Sequence, residues 1–464
     1  MDTTATAAVT GRAEDTTTTA AVTGRAEDVG DAEPGTGIAQ AVAGTAIGAQ
    51  PLRRNLRFQT LWIGMTASTV GVSVADVAYP LIILAMTGSP AWAGLFAAVQ
   101  AVGMLAAGLP AGSLADRYDC RTIVIATEAA RAAVTGGVVV ALAADRLSLP
   151  LLLAAAALLG IGQAIKGAAG LLLTRSVVAR EQLTRALTQD EVRMNGAALA
   201  GPAIGGALYG VRALAHALPF MFTAGSFLVA LAATALMVVV PGHTRDDRVR
   251  VRPADQPEGT AGSGGMLAGL RTLWDQPVLR AATMLIMFVN TIGAGFDLVI
   301  IVILRHQAVA PGMIGVALGV GAAGGLAGAS LVGILHRLRP GVLLLGMCLL
   351  DVLILALLAV PFGPWWVAGL LFIIMLGVPA IRVLVDILVI RQAPPAQRGR
   401  VVAALMTLIG LGMPVGVAGC GLLLQYLPAQ AAMLTLAAIE AAAVAYCSTK
   451  RRLWLARWPG DPAA

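Results

Sequence analysis

The sequence predicts an all-α membrane protein with twelve transmembrane helices in two pseudo-symmetric six-helix bundles. An apolar composition, a regular series of apolar stretches and a biased placement of basic residues lead to this fold class. Of 464 residues, 58% are hydrophobic and 12% are charged, and the mean hydropathy is +0.82. Soluble domains carry roughly 25% charged residues, so this composition argues against a water-soluble multidomain protein.

The first 50 residues differ from the rest of the chain. They are polar, rich in Thr, Ala and Gly, and contain a tandem repeat, TTATAAVTGRAED at 3–15 and TTTTAAVTGRAED at 16–28. Without apolar periodicity, such a segment cannot bury enough surface to offset its ordering entropy. We therefore expect residues 1–50 to form a disordered tail. The segment lacks the apolar core of a signal peptide.

From residue 51 onward, apolar stretches alternate with short polar breaks. Each stretch has about the 20 residues that a helix needs to cross a bilayer. A polar segment at 241–279 separates six stretches from six, which predicts bundles at 51–240 and 280–449 and a tail at 450–464. The predicted spans 1 to 12 are 58–86, 91–114, 122–144, 149–173, 190–211, 217–240, 280–304, 313–335, 341–360, 365–390, 401–424 and 430–449.

The basic residues predict the orientation of these spans. Most of the 32 Lys and Arg residues lie in the two tails and in the breaks after even-numbered spans. Cytoplasmic loops carry such an excess, so we expect both termini and the 241–279 loop to be cytoplasmic, in a bacterial plasma membrane. The net charge of +7 therefore reflects topology and does not indicate nucleic-acid binding. The outer breaks hold three basic residues: Arg146, Arg212 and Arg305.

The sequence offers no sign of a metal centre, a cofactor or an enzymatic site. The four cysteines are scattered without CxxC spacing, so they predict neither a disulfide framework nor a metal site. The chain has no GxxxxGK[ST] sequence for an ATP-driven pump and no HExxH metalloprotease motif. We expect a protein that acts as a monomer, with the lipid bilayer, a small-molecule substrate and protons as its partners.

Several ionisable residues remain inside the predicted spans. Each costs roughly 2.5–3.5 kcal/mol on insertion scales, so such side chains usually face a cavity or a partner. So many would be hard to tolerate on a surface that faces lipid. They are Asp76, Glu128, Arg131, Lys166, Asp297, Asp351, Arg382, Asp386 and Glu440.

Asp76 is the most informative of these residues. Thr66, Thr69, Ser73, Asp76 and Pro80 recur at spacings of three and four, which places them on one face of span 1. A polar stripe of this kind is expected to line water. A carboxyl group in a low-dielectric cavity can take and release protons near neutral pH. The alternative for Asp76 is a polar bond between helices.

A similar stripe is predicted in span 7. Thr283, Asn290 and Asp297 recur every seven residues, and TIGAGFD at 291–297 shares local sequence with TVGVSVAD at 69–76. If the halves are related by pseudo-symmetry, the two acids lie at comparable depth. We expect at least one of them to bind a proton or a cationic part of a substrate.

The other charges are interpreted by their spacing. Glu128 and Arg131 lie three residues apart, and Arg382 and Asp386 lie four apart. Both pairs can neutralise themselves along one helix face, which favours structural roles. Lys166 has no acid within one turn, so it needs either a carboxylate from another helix or an anionic ligand.

The first cytoplasmic break contains Gly112-Ser-Leu-Ala-Asp116-Arg117-Tyr-Asp119-Cys-Arg121. This segment resembles motif A of the major facilitator superfamily, G-x-L-a-D-R-x-G-R-[RK]. In such a motif, the Gly lets helices approach closely. The Asp can cap the next helix and pair with a basic residue, which latches the halves together on the inner side.

Span 5 contains Gly201-Pro202-Ala-Ile-Gly205-Gly206. It is similar to motif C, GPxxGG, which is associated with antiporters of the same superfamily. Small residues and a proline permit tight crossing and bending of a membrane helix.

The resemblance extends over residues 52–424 and includes LRRNLRFQTLW, GLPAGSLADRYD and RQAPPAQRGRVVAAL. Together these segments resemble the twelve-helix drug:proton antiporters that export macrolides or siderophores. It implies the major facilitator fold, proton-coupled efflux of a hydrophobic or amphipathic molecule, and a cavity between the halves. An importer or symporter of the superfamily and a non-transporting receptor or scaffold remain as alternatives.

Overall fold

A computed structural model describes residues 52–178, 182–211, 216–237, 270–271, 274–275, 277–335, 339–360, 362–392 and 398–449. The predicted tails at 1–50 and 450–464 and most of the predicted loop at 241–279 lie outside these residues. The described part of the chain falls in one compact unit, residues 50–464. It consists of helices without a strand, which confirms the all-α fold class.

Thirteen α-helices follow a short 3₁₀ turn in the described part of the chain. Each predicted span contains one helix, except span 7, which is divided into α7 and α8. The helices are α1 Leu56–Thr87, α2 Pro90–Arg117, α3 Cys120–Ala143, α4 Leu149–Val177, α5 Leu183–Gly210, α6 Leu218–Leu236, α7 Pro277–Ala294, α8 Phe296–His306, α9 Pro311–Leu335, α10 Pro340–Leu358, α11 Pro364–Gln392, α12 Arg398–Tyr426 and α13 Ala429–Ser448.

Eleven segments are long and apolar enough to cross a membrane, and α7 and α8 together count as one of them, Thr283–His306. The twelfth expected span is α5. It is 28 residues long, but its glycines, its proline and the charges at its start make it less apolar. Its first turns extend seven residues before the predicted start at 190, which places the Asp190–Arg193 pair inside the helix.

The connections between the first helices are set by local signals. The Asn55 side chain accepts a hydrogen bond from the Phe58 N–H at 3.1 Å and caps the start of α1. Gly88 ends α1 in the left-handed region, with φ of 64°, a conformation that glycine adopts without steric cost. Pro90 then opens α2, since its ring fixes φ at a helical value and its missing N–H would lack a partner there anyway.

The seventh span breaks at Gly295. A Cβ atom at this position would overlap the side chain of Cys420 in α12 and lie 3.0 Å from the Gly416 carbonyl oxygen. The absence of a side chain therefore lets the backbone approach α12 closely where α7 ends. The break makes Asp297 part of the first turn of α8.

Two pairs of helices make the most extensive contacts between the halves, α2 with α12 and α5 with α9, and α8 also contacts α1 and α2. The contacts of both pairs depend on glycine. Gly94 of α2 faces Gly421 of α12, where a Cβ would lie 2.9 Å from the opposite Cα atom. A Cβ on Gly315 of α9 would overlap the carbonyl oxygen of Pro202 in α5. Close backbone approach of this kind is the usual basis of helix association in membranes.

The two ends of the bundle are packed differently. We call the end where α1 begins the basic end, and the end where α1 finishes at Gly88 the closed end. The largest apolar cluster lies at the closed end and contains residues of both halves, such as Leu81, Phe96 and Leu304. The clusters at the basic end each belong to one half.

Polar contacts also join the halves at the closed end. The Arg305 guanidinium donates to the Leu81 carbonyl oxygen at 3.3 Å, and the Ser89 hydroxyl donates to the Gln425 side-chain oxygen. Among the described residues, the halves therefore share an apolar core at the closed end and keep separate cores at the basic end.

Candidate functional site

Two acids lie at the boundary between the halves. Asp76 of α1 and Asp297 of α8 are both exposed, whereas the residues on either side of each are buried. The two carboxyl groups are close enough to interact electrostatically. The structure therefore brings the two acids that the sequence singles out to the boundary between the halves.

The polar stripe of α1 does not line water along its whole length. Thr69 donates to the Met65 carbonyl oxygen at 2.8 Å, and Ser73 is half-buried against Gly201 of α5. Within the stripe, Asp76 is the exposed residue. The expectation that the stripe lines water is wrong at Ser73, which Gly201 allows α5 to cover, and at Thr69, which accepts a hydrogen bond from Arg193 of α5.

The stripe of span 7 is also divided. Thr283 is 6% exposed, whereas Asn290 and Asp297 are exposed. The Asn290 amide donates to the Ile286 carbonyl oxygen at 2.9 Å within its own helix. Asn290 and Asp297 are therefore the exposed residues of this stripe.

A cluster of buried charges lies inside the N-terminal half. Glu128 of α3 is paired with Arg131 at 3.3 Å and with Lys166 of α4 at 3.3 Å. The Ser68 hydroxyl of α1 donates to Glu128 Oε1 at 2.8 Å. It also accepts from Lys166 Nζ at 2.8 Å and from Arg131 Nη1 at 3.2 Å. We call these four residues the buried charge cluster.

The partner of Lys166 is thus a carboxylate from another helix, one of the two options that the sequence leaves open. That carboxylate is Glu128, so Lys166 does not bind Asp76. The Arg131 guanidinium lies 4.1 Å from the Phe227 ring centroid, which adds a cation–π contact. Arg131 also interacts electrostatically with Asp76, so it links the cluster to the exposed acid.

Arg193 is a buried cation that the sequence interpretation missed. It is 8% exposed, forms an ion pair with Asp190 one turn earlier, and donates to the Met65 carbonyl oxygen at 2.8 Å. It also donates to Thr69 Oγ1 at 2.6 Å. The spacing of three between Asp190 and Arg193 is the signal that could have identified the pair.

Motif A lies at the basic end, and its residues have different tasks. The Asp119 carboxylate accepts from the Thr122 N–H at 2.9 Å and caps α3. The expectation that Asp116 supplies this cap is wrong, because α3 begins only at Cys120. Arg121 donates to the Thr234 and Ala235 carbonyl oxygens at 3.2 and 3.0 Å, which joins the start of α3 to the end of α6.

Three other residues of motif A, Gly112, Asp116 and Arg117, are exposed at the basic end. No hydrogen bond or ion pair joins Asp116 to another described residue. A Cβ on Gly112 would meet nothing within 4 Å. The expected close approach of helices at Gly112 is therefore not present here, because the halves keep separate cores at this end.

Motif C packs α5 against both halves. Cβ atoms on Gly201 and Gly205 would overlap or crowd Ser73 and Val74 of α1, and one on Gly206 would overlap Pro311 of α9. The helix continues through Pro202. The motif therefore holds three backbones together at the boundary between the halves.

The C-terminal half has buried acids of its own. Glu440 of α13 is 2% exposed, and its Oε1 atom has no hydrogen-bond partner among the described residues. Asp351 of α10 is half-buried and interacts electrostatically with Glu440. The predicted Arg382–Asp386 pair lies outside the described side chains. The described part of the chain contains no group of three His, Cys, Asp or Glu residues that could hold a metal ion.

The family model and the related proteins that match this chain indicate the same family. The family model described as "Major Facilitator Superfamily" matches residues 61–417. The multidrug efflux pump Tap of Mycobacterium tuberculosis (strain H37Rv) is 26% identical over 395 residues, which cover 80% of this chain and 88% of that protein. The same pump in Mycobacterium bovis matches equally.

Solved structures show the same fold. A bacterial homologue of the human lysosomal transporter Spinster, in an inward-facing and unoccupied conformation, has a TM-score of 0.66 and 17% identity, covering 89% of this chain and 100% of that one. The nucleoside transporter NupG has a TM-score of 0.65 and 12% identity, covering 85% and 98%.

Proposed function

Because the chain belongs to the major facilitator superfamily, we propose that it exports a hydrophobic or amphipathic small molecule in exchange for protons. Because it is a member of this superfamily, the protein is a multi-pass membrane transporter rather than an enzyme. The proposal adds the direction of transport, the coupling ion and the class of substrate. Antibiotics and siderophore-like compounds are the substrates to test first.

The observation that carries proton coupling is the facing pair of acids, Asp76 and Asp297. Each is exposed among buried neighbours, and they interact across the two halves. Two negative carboxylates that interact across the boundary repel each other. A proton on either acid therefore lowers the free-energy cost of bringing the halves together. Protonation at this boundary therefore biases the relative position of the halves.

The packing of the two ends supports alternating access. The halves share a core only at the closed end, among the described residues. With the basic end in the cytoplasm, as the basic residues predict, this conformation is open to the inside. Movement of one half against the other would open the closed end and bring motif A into contact with the C-terminal half.

Motif A supports this cycle because Asp116 is exposed when the basic end is apart. An unpaired acid at the edge of one half is available to bind a basic group of the other half when that end closes. Such a contact exists in one state more than in the other, so it shifts the populations of the two states. We assign Asp116 to the outward-open state.

Export is favoured by two observations. Motif C is present in α5, where it packs on both halves, and the relative with 26% identity is named a multidrug efflux pump. An importer would use the same fold, so the direction requires a direct test.

The test uses inverted membrane vesicles that contain the protein, with a panel of antibiotics and siderophores. We expect uptake of at least one compound into the vesicles when the interior is acidified, and loss of this uptake when a protonophore removes the gradient. Vesicles without the protein are the control. Accumulation only in right-side-out vesicles would indicate an importer and contradict the proposal.

The orientation is tested separately with accessible tags. Tags at residues 1 and 464 and within 245–262 should be cytoplasmic, and tags near Gly88, Arg146 and Arg305 should be external. An external tag within 245–262 would contradict the arrangement of six helices on each side of a cytoplasmic loop.

A further inference from the structure

The helix α8 is almost completely buried between its two ends. The residues from Leu298 to Leu304 are all apolar, and each is 7% exposed or less. The exposed residues of α8 lie at its ends, with Asp297 in the first turn and Arg305 and His306 in the last turn. A close-packed interior resists deformation, so α8 rigidly connects the boundary acid Asp297 to the charged group at the closed end.

The charged group at the closed end is bonded to the other half. Arg305 Nη1 donates to the Leu81 carbonyl oxygen of α1 at 3.3 Å. The guanidinium also interacts electrostatically with Tyr209 of α5, which is buried in the apolar cluster of the closed end. A hydrogen bond with an ionised donor is stronger than one between neutral groups, so this contact holds the halves together at that end.

The two helices joined by this bond also carry the facing acids. In α1, Asp76 precedes Leu81 by five residues, about 8 Å along the helix, and the helix continues through Pro80 between them. In α8, Asp297 precedes Arg305 by eight residues, about 12 Å along the helix. Repulsion between the acids and attraction at Arg305 therefore act between the same two helices.

These two interactions oppose each other when both acids are ionised. Two carboxylates that interact across the boundary repel, which favours separation of α1 from α8, whereas the bond of Arg305 to Leu81 favours their contact. A proton on either acid removes the repulsion. The Arg305 bond therefore offsets the repulsion in the transporter whose acids have both lost their protons.

The other charged groups near α1 and α8 leave this opposition in place. Arg131 faces Asp76 from α3 but is paired with Glu128, and His306 is exposed beside Arg305. On the described helices packed against α1 and α8, the remaining charged residues lie at the basic end, or they interact within the buried charge cluster, the Asp190–Arg193 pair or the Glu440–Asp351 pair. The protons on Asp76 and Asp297 therefore control the repulsion.

We propose that Arg305 is the latch of the closed end, a positioning residue that holds α8 against α1 while Asp76 and Asp297 are both ionised. The latch deepens the proposed function and rests on it for the part that the two acids play in transport. It keeps the transporter that has released its protons from opening the closed end before a substrate has bound. The alternative is that Arg305 is a surface contact whose loss leaves the closed end shut.

The test measures opening of the closed end by hydrogen exchange and mass spectrometry on the purified protein, at alkaline pH so that both acids are ionised. The reporter is the backbone of residues 298–310, which includes the buried part of α8. Arg305→Gln should raise the exchange rate of this segment about tenfold, as expected for loss of a hydrogen bond with a charged donor. Arg305→Gln combined with Asp76→Asn should return the rate towards that of the wild type, because the repulsion is removed as well.

Arg146→Gln is the matched control. It removes an exposed arginine in the turn between α3 and α4 at the same end of the N-terminal half, and exchange of residues 298–310 should equal that of the wild type. Exchange of residues 343–355 in α10, part of which lies in an apolar cluster of the basic end, should be the same in all variants and shows that they are folded.

Arg305→Met is a second variant that also lacks the donor, and it should behave as Arg305→Gln does. Wild-type exchange of residues 298–310 in either folded variant would overturn the latch. A raised rate that Asp76→Asn fails to lower would also overturn it, since the bond would then not oppose the acids. A latch that behaves as expected, in a protein that moves no substrate in exchange for protons, would overturn the proposed function alone.

Discussion

The two halves have related architecture, but they treat buried charge differently. In the N-terminal half, Glu128 lies between two cations, Arg131 and Lys166, at 3.3 Å from each. In the C-terminal half, Glu440 and Asp351 interact with each other, and neither forms an ion pair with another described residue. Among the described side chains, which do not include Arg382 and Asp386, one half thus contains a mixed charge network and the other a pair of acids.

The difference separates a buried carboxylate that is paired with cations from buried acids that have no described cation. A buried carboxyl without a cation avoids the cost of an uncompensated charge by staying neutral. A carboxylate between two cations has its charge compensated within the cluster, so removing it leaves buried cations without a counter-charge. We therefore assign structural roles to the buried charge cluster and to the Glu440–Asp351 pair, and leave proton coupling to Asp76 and Asp297 at the boundary between the halves.

The largest expected effect is on stability, when the acid of the charge network is removed. Glu128→Gln leaves Arg131 and Lys166 buried without a carboxylate, which costs about 3–5 kcal/mol. Thermal unfolding of the detergent-purified protein should show a large loss of stability, or the protein should fail to accumulate.

Glu440→Gln is the matched change in the C-terminal half. It removes an acid that has no described cation, so its unfolding temperature should stay near that of the wild type. Equal destabilisation by the two substitutions would contradict the distinction between the halves.

The next effect concerns the boundary at which the halves meet. In Gly206→Ala, the new Cβ would overlap the Pro311 carbonyl oxygen of α9. Overpacking of this kind costs about 1–3 kcal/mol, which is enough to change the populations of two states about 5- to 150-fold. We expect transport to fall while the protein still folds.

Gly196→Ala is the control on the same helix, because a Cβ there would meet nothing within 4 Å. Transport by this variant should equal that of the wild type. If Gly206→Ala also transports normally, α5 and α9 do not need this close contact, and the account of motif C fails.

The sequence predicts the fold because membrane spans are set by local composition. Apolar length and basic placement locate the helices within a few residues, and the Gly295 break lies inside the predicted seventh span. The facing acids also follow from sequence, since the similar segments at 69–76 and 291–297 mark corresponding positions.

The charge network could not be predicted in the same way. The partners Ser68 and Glu128 are 60 residues apart, and Ser68 and Lys166 are 98 apart, so only tertiary packing brings them together. Spacing along one helix identifies the Glu128–Arg131 pair but not the second cation. The burial of Ser73 under α5 likewise depends on how closely two helices cross.

A smaller effect is expected at motif A, where the halves differ again. Motif A of the N-terminal half contains Asp116, whereas the similar segment GILHR at 333–337 of the C-terminal half contains no acid. Asp116 is exposed and has no bond to another described residue, so Asp116→Asn should preserve expression and stability. Transport should slow, because a contact of the outward-open state is lost.

Asp119→Ala separates this effect from simple damage to the loop. It removes the cap of α3, which costs about 1 kcal/mol, so it should lower the unfolding temperature slightly. Unchanged transport in Asp116→Asn would show that the acid does not take part in the cycle.

The smallest effect is expected from removal of residues 1–48. The tandem repeat has no apolar periodicity, and such low-complexity sequence has no packed core to lose. The amount of protein inserted in the membrane and the rate of transport should both equal those of the full-length protein. Loss of transport with normal insertion would show that the tail acts on the transporter.

The central claim is that Asp76 carries the coupling proton, and Asp76→Asn tests it most directly. Asparagine retains the size and hydrogen bonding of aspartate but cannot titrate. In proteoliposomes, we expect this variant to lose accumulation of substrate against its gradient under a proton gradient, while exchange of labelled for unlabelled substrate continues. Uphill accumulation at the wild-type rate in Asp76→Asn would contradict the claim.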